Sequence, residues 1–342
     1  MRSYMSLLYG NQAAKEQLGH SVETDSLSHA FIIEGASGSG KRTLTRQLIA
    51  SALCEHRYEQ NTPLPCGACR ACRLVAESKA ADVRFINRGD KATLGVDTVR
   101  GEKADMYLAP NEFERKFYVF EDAHTMTVQA QNALLIALEE PPRNVHIILL
   151  CESADALLTT VKSRARLYKM QRFSRDDILT WLSRERPLAI GAYSEKKDEL
   201  YTILTEADGC IGRALSLLEE KNAAELFHDR EVTDKLLSAL GSHSFAKLCT
   251  AFSLLPSKRD DLIESLSSLL RALRDLVLLK HSDSVNLSYF SSLAVIPHEC
   301  RALRMQTLLS AMEAVEGTVR SLERNASSAT ALNLLKYTLK KV

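Results

Sequence analysis

HAFIIEGASGSGKRT, residues 29–43, gives the strongest indication of fold in this chain. Its apolar run, His29–Glu34, predicts a buried strand, and a helix from about Lys41 to Cys54 follows the glycine-rich turn. In such a strand–loop–helix unit, glycines let backbone N–H groups curl around phosphate oxygens, and the helix N-terminus adds positive dipole. The stretch therefore predicts a phosphate-binding loop of the Walker A type. Its nucleotide-binding residues are predicted to be Gly35, Gly38, Gly40, Lys41 and Thr43.

One residue departs from the Walker A pattern. The motif places Ser or Thr after its lysine, where the hydroxyl ligates Mg²⁺, and this chain has Arg42 there. Thr43 follows one residue later, about 100° further round the helix, and cannot simply replace that hydroxyl. The pattern thus predicts ATP binding and argues against ATP hydrolysis by this chain.

A second buried strand, Lys116–Phe120, runs directly into Glu121 and Asp122. This arrangement resembles a Walker B strand, whose first carboxylate orients the water shell of Mg²⁺ and whose second activates the attacking water. The usual order is Asp then Glu, and here it is inverted. Glu121 and Asp122 are candidate catalytic residues, and an acidic strand end that faces solvent is the alternative.

Four of the eight cysteines are grouped in the order Cys54-x11-Cys66-x2-Cys69-x2-Cys72. Four thiolates are enough for one tetrahedral Zn²⁺ ion. A redox C-x-x-C pair is the alternative, although such a pair needs no third or fourth cysteine. Because protein ligands would fill all four positions, the predicted zinc site is structural rather than catalytic.

Composition bounds the function classes. The 342 residues include 44 Lys and Arg against 43 Asp and Glu, a formal net charge of +1, with 45% hydrophobic and 25% charged residues. These values exclude a disordered chain and a globally basic DNA-coating protein, but not a local basic face. There is no apolar run of about 18 residues and no signal-peptide pattern at the N-terminus. We therefore expect a cytoplasmic protein without membrane contacts.

The alternation of strands and helices ends near residue 172, and the rest of the chain is predicted to be helical. Ser174 and Asp177 are spaced as a capping box that opens the first of these helices. The predicted fold is an α/β P-loop domain with a zinc module, a small helical domain and an all-helical C-terminal domain. Their predicted ranges are 1–172, with the zinc module at about 54–72, then 173–228 and 229–342, with a loop at 282–292.

With these residues in hand, the chain resembles the bacterial clamp-loader AAA+ subunits of DNA polymerase III, in particular those of the delta-prime type. The resemblance covers nearly the whole chain. Its most specific pieces are NALLIALEEPP at 132–142, the cysteine module after the Walker A helix, Ser163-Arg164, GCIGRAL at 209–215 and LRALRDLVLLK at 270–280.

The resemblance implies a subunit of a five-membered ring in which ATP binding opens the sliding clamp and hydrolysis releases it around primed DNA. It implies a helical lid and a C-terminal collar that joins gamma/tau- and delta-type subunits, with contacts to DNA phosphates inside the ring. Arg164 matches the arginine finger that reaches into the ATP site of a neighbouring subunit, and Arg213 matches the sensor 2 arginine. Any polymerase activity would belong to the holoenzyme, since no polymerase site is found in this chain.

Two other functions stay open at this stage. One is an ATP-hydrolysing gamma/tau-type motor or another autonomous AAA+ ATPase, and the other is a scaffold with a decayed loop. Arg42 and the inverted pair Glu121-Asp122 favour the delta-prime type over a motor. Lys41 and the three loop glycines argue against complete decay.

Overall fold

The computed structural model describes residues 2–242, 244–281, 287–290, 296–324 and 326–341. The chain forms two compact units. The first is Met1–Phe173 with Cys210–Gly212, and the second is Ser174–Gly209 with Arg213–Val342. The predicted boundary at 228/229 falls inside one helix, Glu220–Gly241, and the division of the helical part into two domains stays a prediction. The predicted loop at 282–292 lies largely outside the described residues.

A five-stranded parallel sheet in the order β2-β3-β4-β1-β5 forms the centre of the first unit. The strands predicted at 29–34 and 116–120 are confirmed. The edge strand at 166–169 has only one buried residue among its four and lacks an apolar run, so it was not predicted. The strands are β1 (Ala30–Glu34), β2 (Val83–Ile86), β3 (Lys116–Phe120), β4 (Val145–Cys151) and β5 (Arg166–Lys169).

Helices cover both faces of this sheet. Alternate strand residues point to opposite faces, so Phe31 and Ile33 join one apolar cluster while Ala30 and Ile32 join the other. Both faces are therefore buried, as expected for a parallel sheet. The helices of this unit are α1 (Gln12–Glu23), α2 (Lys41–Leu53), α3 (Arg70–Ala76), α4 (Val96–Met106), α5 (Val128–Glu139) and α6 (Thr159–Lys162).

The described part of the second unit is helical. The capping box is confirmed: Ser174 accepts from the Asp177 N–H, and the Asp177 carboxylate accepts from the Ser174 N–H. The segment 211–227 forms the end-to-end parts of two helices, since Glu219 adopts an extended backbone between them. The helices are α7 (Arg175–Glu185), α8 (Pro187–Gly191), α9 (Lys197–Glu206), α10 (Ile211–Leu217), α11 (Glu220–Gly241), α12 (Phe245–Phe252), α13 (Arg259–Leu279), α14 (His298–Arg301), α15 (Met305–Glu323) and α16 (Ser328–Lys341).

The core of this helical unit is a continuous leucine-rich cluster. Leu262, Leu266, Leu269 and Leu273 recur along one face of α13 and are fully buried. Such spacing places one stripe of the helix against its neighbours. In the described part of the chain, none of the helices is both long and apolar enough to cross a bilayer.

Candidate functional site

The phosphate-binding loop joins β1 to α2 at the carboxyl edge of the sheet. Gly40 is the N-cap of α2 with φ of 94°, a backbone conformation that a side chain would strain. Lys41 is consequently the first residue of the helix, where backbone N–H groups have no partner within the helix. The local geometry of a phosphate cradle is thus present.

An open cleft of about 450 Å³ lies over this loop. Strands β1 and β3 are separated by β4 in the sheet, and ligands of such sheets bind beyond the carboxyl ends of the strands. The cleft brings the loop and the end of β3 together. Six predicted site residues line it, namely Gly38, Gly40, Lys41, Thr43, Glu121 and Asp122, and Gly35 lies at the start of the loop.

The ammonium group of Lys41 lies on the loop itself. Its Nζ donates hydrogen bonds to the carbonyl oxygens of Gly35 at 2.5 Å and Ala36 at 3.0 Å. Burial lowers the pKa of Lys41, and the carboxylates of Glu152 and Asp122 act in the opposite direction. Phosphate oxygens are the kind of acceptor that can replace these two carbonyls, so the lysine is positioned for a phosphorylated ligand.

Arg42 forms an ion pair across the cleft. Its Nε lies 2.9 Å from Oε1 of Glu121, whose side chain is 15% exposed against 56% for the arginine. The guanidinium also lies over the ring of Phe85, 5.3 Å from its centroid. The predicted Walker B carboxylate is therefore paired with the residue that replaces the Walker A hydroxyl.

These residues do not fit the Mg²⁺ site that the Walker motifs build. The hydroxyl ligand is absent at position 42, and the carboxylate of Glu121 is occupied by a guanidinium. Thr43, exposed on α2, lines the cleft one residue further on. Asp122 has a left-handed backbone with φ of 51°, and its carboxylate lies 3.9 Å from Nε of Arg88.

Two further loop contacts were not predicted from the sequence. The N–H of Gly212 donates a 2.9 Å hydrogen bond to the carbonyl oxygen of Gly38. In addition, the buried hydroxyl of Ser39 has no hydrogen-bond partner among the described residues. The signal for Gly212 is a glycine inside a helical pattern, which indicates close approach of another backbone.

The predicted finger, Arg164, lies just after α6 with its side chain 35% exposed. Its Nη2 pairs with Oε1 of Glu139 at 2.9 Å, and its Nη1 donates to the carbonyl oxygen of Thr160 at the same distance. The guanidinium is thus oriented by the ends of two helices and still accessible to solvent.

Arg213 belongs to the second unit and binds a buried carboxylate. Its Nη2 lies 2.9 Å from Oε1 of Glu206, and Nη2 of Arg271 lies 2.8 Å from the same oxygen. The side chain of Glu206 is only 6% exposed, so two cations share one desolvated anion. Sequence reasoning missed Glu206, because a glutamate in an amphipathic helix usually faces solvent.

The four clustered cysteines converge in space. Their Sγ atoms all lie within 4.8 Å of one another, and those of Cys66 and Cys72 are 3.8 Å apart. Zn–S bonds of about 2.3 Å in a tetrahedron require sulfur–sulfur distances of about 3.8 Å. The N–H of Cys69 points at Cys66 Sγ and that of Cys72 at Cys69 Sγ, as in a metal knuckle. The neighbouring thiol of Cys72 lowers the pKa of Cys54. This donor set fits a structural zinc ion.

The first unit is therefore a P-loop domain. Its phosphate-binding loop has the usual geometry, but Arg42 replaces the hydroxyl residue that would bind Mg²⁺. A family model described as "DNA polymerase III, delta subunit" matches residues 10–174. The delta' subunit of DNA polymerase III from Escherichia coli (strain K12) is 32% identical over 213 residues, covering 60% of this chain and 59% of the relative.

Two other relatives carry names of the same polymerase. The tau subunit from Bacillus subtilis (strain 168) is 28% identical over 271 residues, covering 78% of this chain and 46% of the relative. The gamma subunit from Buchnera aphidicola subsp. Schizaphis graminum is 27% identical over 212 residues, covering 62% of this chain and 56% of the relative. This chain spans about half the length of the curated relatives it matches. It is similar to subunits of the bacterial DNA polymerase III clamp loader, the delta' subunit among them.

Among solved structures, a DNA polymerase III gamma subunit-related protein from Thermotoga maritima covers 95% of this chain, and the alignment covers 98% of that protein. The two are 20% identical, with a TM-score of 0.46.

Proposed function

We propose that this chain is a delta-prime-like subunit of the clamp loader, which helps ATP-driven loading of the sliding clamp onto primed DNA. The observation that carries the proposal is the Arg42–Glu121 ion pair at 2.9 Å. A motor subunit needs Mg²⁺ between the γ-phosphate and the two Walker motifs. In this chain the first Walker B carboxylate, Glu121, is paired with Arg42 instead of being available for Mg²⁺. Such a subunit is better suited to completing the ATP site of a neighbouring subunit than to hydrolysing ATP itself.

In this proposal Arg164 is the group that acts in the neighbour's site. A guanidinium supplied in trans stabilises the charge that develops on the transferred phosphoryl group. Before docking, its pairing with Glu139 and Thr160 holds the arginine at the surface. On docking, phosphate oxygens would replace the Glu139 carboxylate as the partner, and the positive charge would be delivered already oriented.

Replacement of Arg164 by Ala in the reconstituted complex tests this role. We expect the complex to assemble and its DNA-stimulated ATPase rate to fall by about tenfold or more, since a finger contributes on the order of 10³-fold or more at its own site. The exposed neighbour Arg166, changed to Ala, is the matched control and should leave the rate unchanged. An Arg164→Ala complex with normal turnover would refute the finger role.

The remaining predicted residues take supporting roles. The loop residues Gly35, Gly38, Gly40, Lys41 and Thr43 would hold the phosphates of a nucleotide. Arg213, which matches the sensor 2 arginine, is proposed as a further nucleotide-binding residue. Cys54, Cys66, Cys69 and Cys72 would hold one structural zinc ion. Residues 229–342 would form the collar that joins gamma/tau- and delta-type subunits. Within the assembled ring, the chain would also contact DNA phosphates.

The gamma/tau-type motor is the second candidate, and the matches to gamma and tau subunits favour it. It requires ATP hydrolysis by the isolated chain. The two candidates are separated by an ATPase assay on the purified protein with Lys41→Ala as the blank. Turnover that disappears in this variant would favour the motor, and turnover equal to the blank would favour the delta-prime type.

A further inference from the structure

Directly after Lys41 in the phosphate-binding loop, an arginine stands at the position of a metal ligand. Arg42 lines the same cleft as the loop glycines, and its Nε is 2.9 Å from Glu121. A guanidinium carries four further N–H donors on its two terminal nitrogens, and pairs with phosphate in a bidentate manner. Arg42 thus combines a positive charge with donors suited to phosphate oxygens.

We propose that this loop binds a nucleoside diphosphate without Mg²⁺, with the guanidinium of Arg42 in place of the metal as the cation beside the β-phosphate. The inference rests on nucleotide binding by the loop, as proposed above, and is independent of the role of Arg164. It follows from the disagreement between the residues present and the Mg²⁺ site of the Walker motifs.

Two contacts hold the side chain of Arg42 in the cleft over the phosphate-binding loop. Glu121 at the end of β3 anchors its Nε, and the ring of Phe85 supports its flat face at 5.3 Å. More than half of the side chain remains exposed, so the terminal nitrogens are accessible to a ligand in the cleft. Ser39 adds a buried hydroxyl that has no partner in the part of the chain that the structure describes, and a phosphate oxygen is a suitable acceptor for it.

Charge favours the diphosphate over the triphosphate. Mg²⁺ brings two positive charges to the β- and γ-phosphates, and one guanidinium brings only one. A γ-phosphate would also approach Asp122 and Glu152, the carboxylates that act on Lys41, with no metal ion to screen them. A ligand that ends at the β-phosphate avoids this repulsion, which is strongest in a partly desolvated cleft.

Calorimetric titration of the full chain with ADP, in EDTA and then in Mg²⁺, tests the proposal. For the unmodified protein we expect Kd values that agree within about twofold in the two buffers, and weaker binding of ATP than of ADP in EDTA. Arg42→Thr restores the motif hydroxyl and removes the cation. It should weaken ADP binding in EDTA by about tenfold and regain affinity when Mg²⁺ is added.

Arg46→Thr is the matched control, because Arg46 lies one turn later on α2 over the same Phe85 ring, 5.5 Å from its centroid. This variant should bind ADP with the same Kd in both buffers. Tightening of the unmodified protein by tenfold or more on adding Mg²⁺ would overturn the proposal, as would no binding at about 1 mM ADP. Either result leaves the Arg164 assay to decide the clamp-loader role separately.

Discussion

The backbone N–H of Gly212 donates a 2.9 Å hydrogen bond to the carbonyl oxygen of Gly38 in the phosphate-binding loop, and both residues belong to the first unit. A Cβ atom at position 212 would lie 2.7 Å from that oxygen and 3.0 Å from the Gly38 Cα. Both are backbone atoms and cannot rotate away. A side chain at 212 must therefore displace the loop.

Gly212→Ala should accordingly weaken nucleotide binding while the fold survives. We expect Kd for ADP to rise by about tenfold, equivalent to about 1.4 kcal/mol, because the displaced loop N–H groups no longer meet the phosphate. Gly101→Ala in α4 is the control, since a Cβ there meets nothing within 4 Å. Equal affinities for the two variants would show that the loop position does not depend on this contact.

The cysteine cluster predicts about one zinc ion per chain, measured by elemental analysis of the purified protein. Cys69→Ser with Cys72→Ser should abolish binding, and its melting temperature should fall by roughly 5–10 °C because a structural zinc site contributes several kcal/mol. Cys249→Ser, outside the cluster, should keep both the metal and the melting temperature. A protein without zinc and with two of the four thiols oxidised would instead support the redox alternative.

Acid should destabilise the first unit through His146. Burial lowers the pKa of His146 to about 4, and its ring stacks on Phe117 while Nδ1 donates to the carbonyl oxygen of Ser28. An unfolded histidine has a pKa of about 6.5, so the unfolded chain binds more protons between about pH 4 and 6.5. Stability from this group is complete above pH 6.5 and is lost as the pH falls towards 4.

Urea titrations at pH 7 and pH 4.5 measure this loss. The histidine should account for about 2 kcal/mol of the difference in unfolding free energy, which His146→Leu should remove. The exposed His20, changed to Leu, is the control and should keep the pH dependence of the unmodified protein. An unchanged difference in His146→Leu would mean that other groups control the acid response.

Local patterns predicted much of this molecule, and long-range pairing accounts for what they missed. The strand–loop–helix run at 29–43 and the cysteine spacing each specify their geometry within a short segment. Glu206 and Arg271 are 65 positions apart along the chain, and their shared ion pair with Arg213 arises only from helix packing. The Arg42–Glu121 pair is similar: the departure at position 42 was visible in the sequence, but its partner depends on the order of the strands.

The proposed collar function predicts that an exposed apolar residue on α16 contacts a neighbouring subunit. Leu335 and Leu339 are buried on the inner face of this helix, whereas Leu334 is 69% exposed. An aspartate at 334 would remain solvated in the free chain but would be costly to desolvate inside an interface. Leu334→Asp should therefore preserve the melting temperature and weaken co-assembly with gamma/tau- and delta-type subunits by about tenfold or more in Kd. Asn333→Asp is the control, because it adds the same charge at the adjacent exposed position. It should co-assemble with the partner subunits normally, as measured by sedimentation velocity. Equal assembly of the two variants would show that this face of α16 is not part of the collar interface.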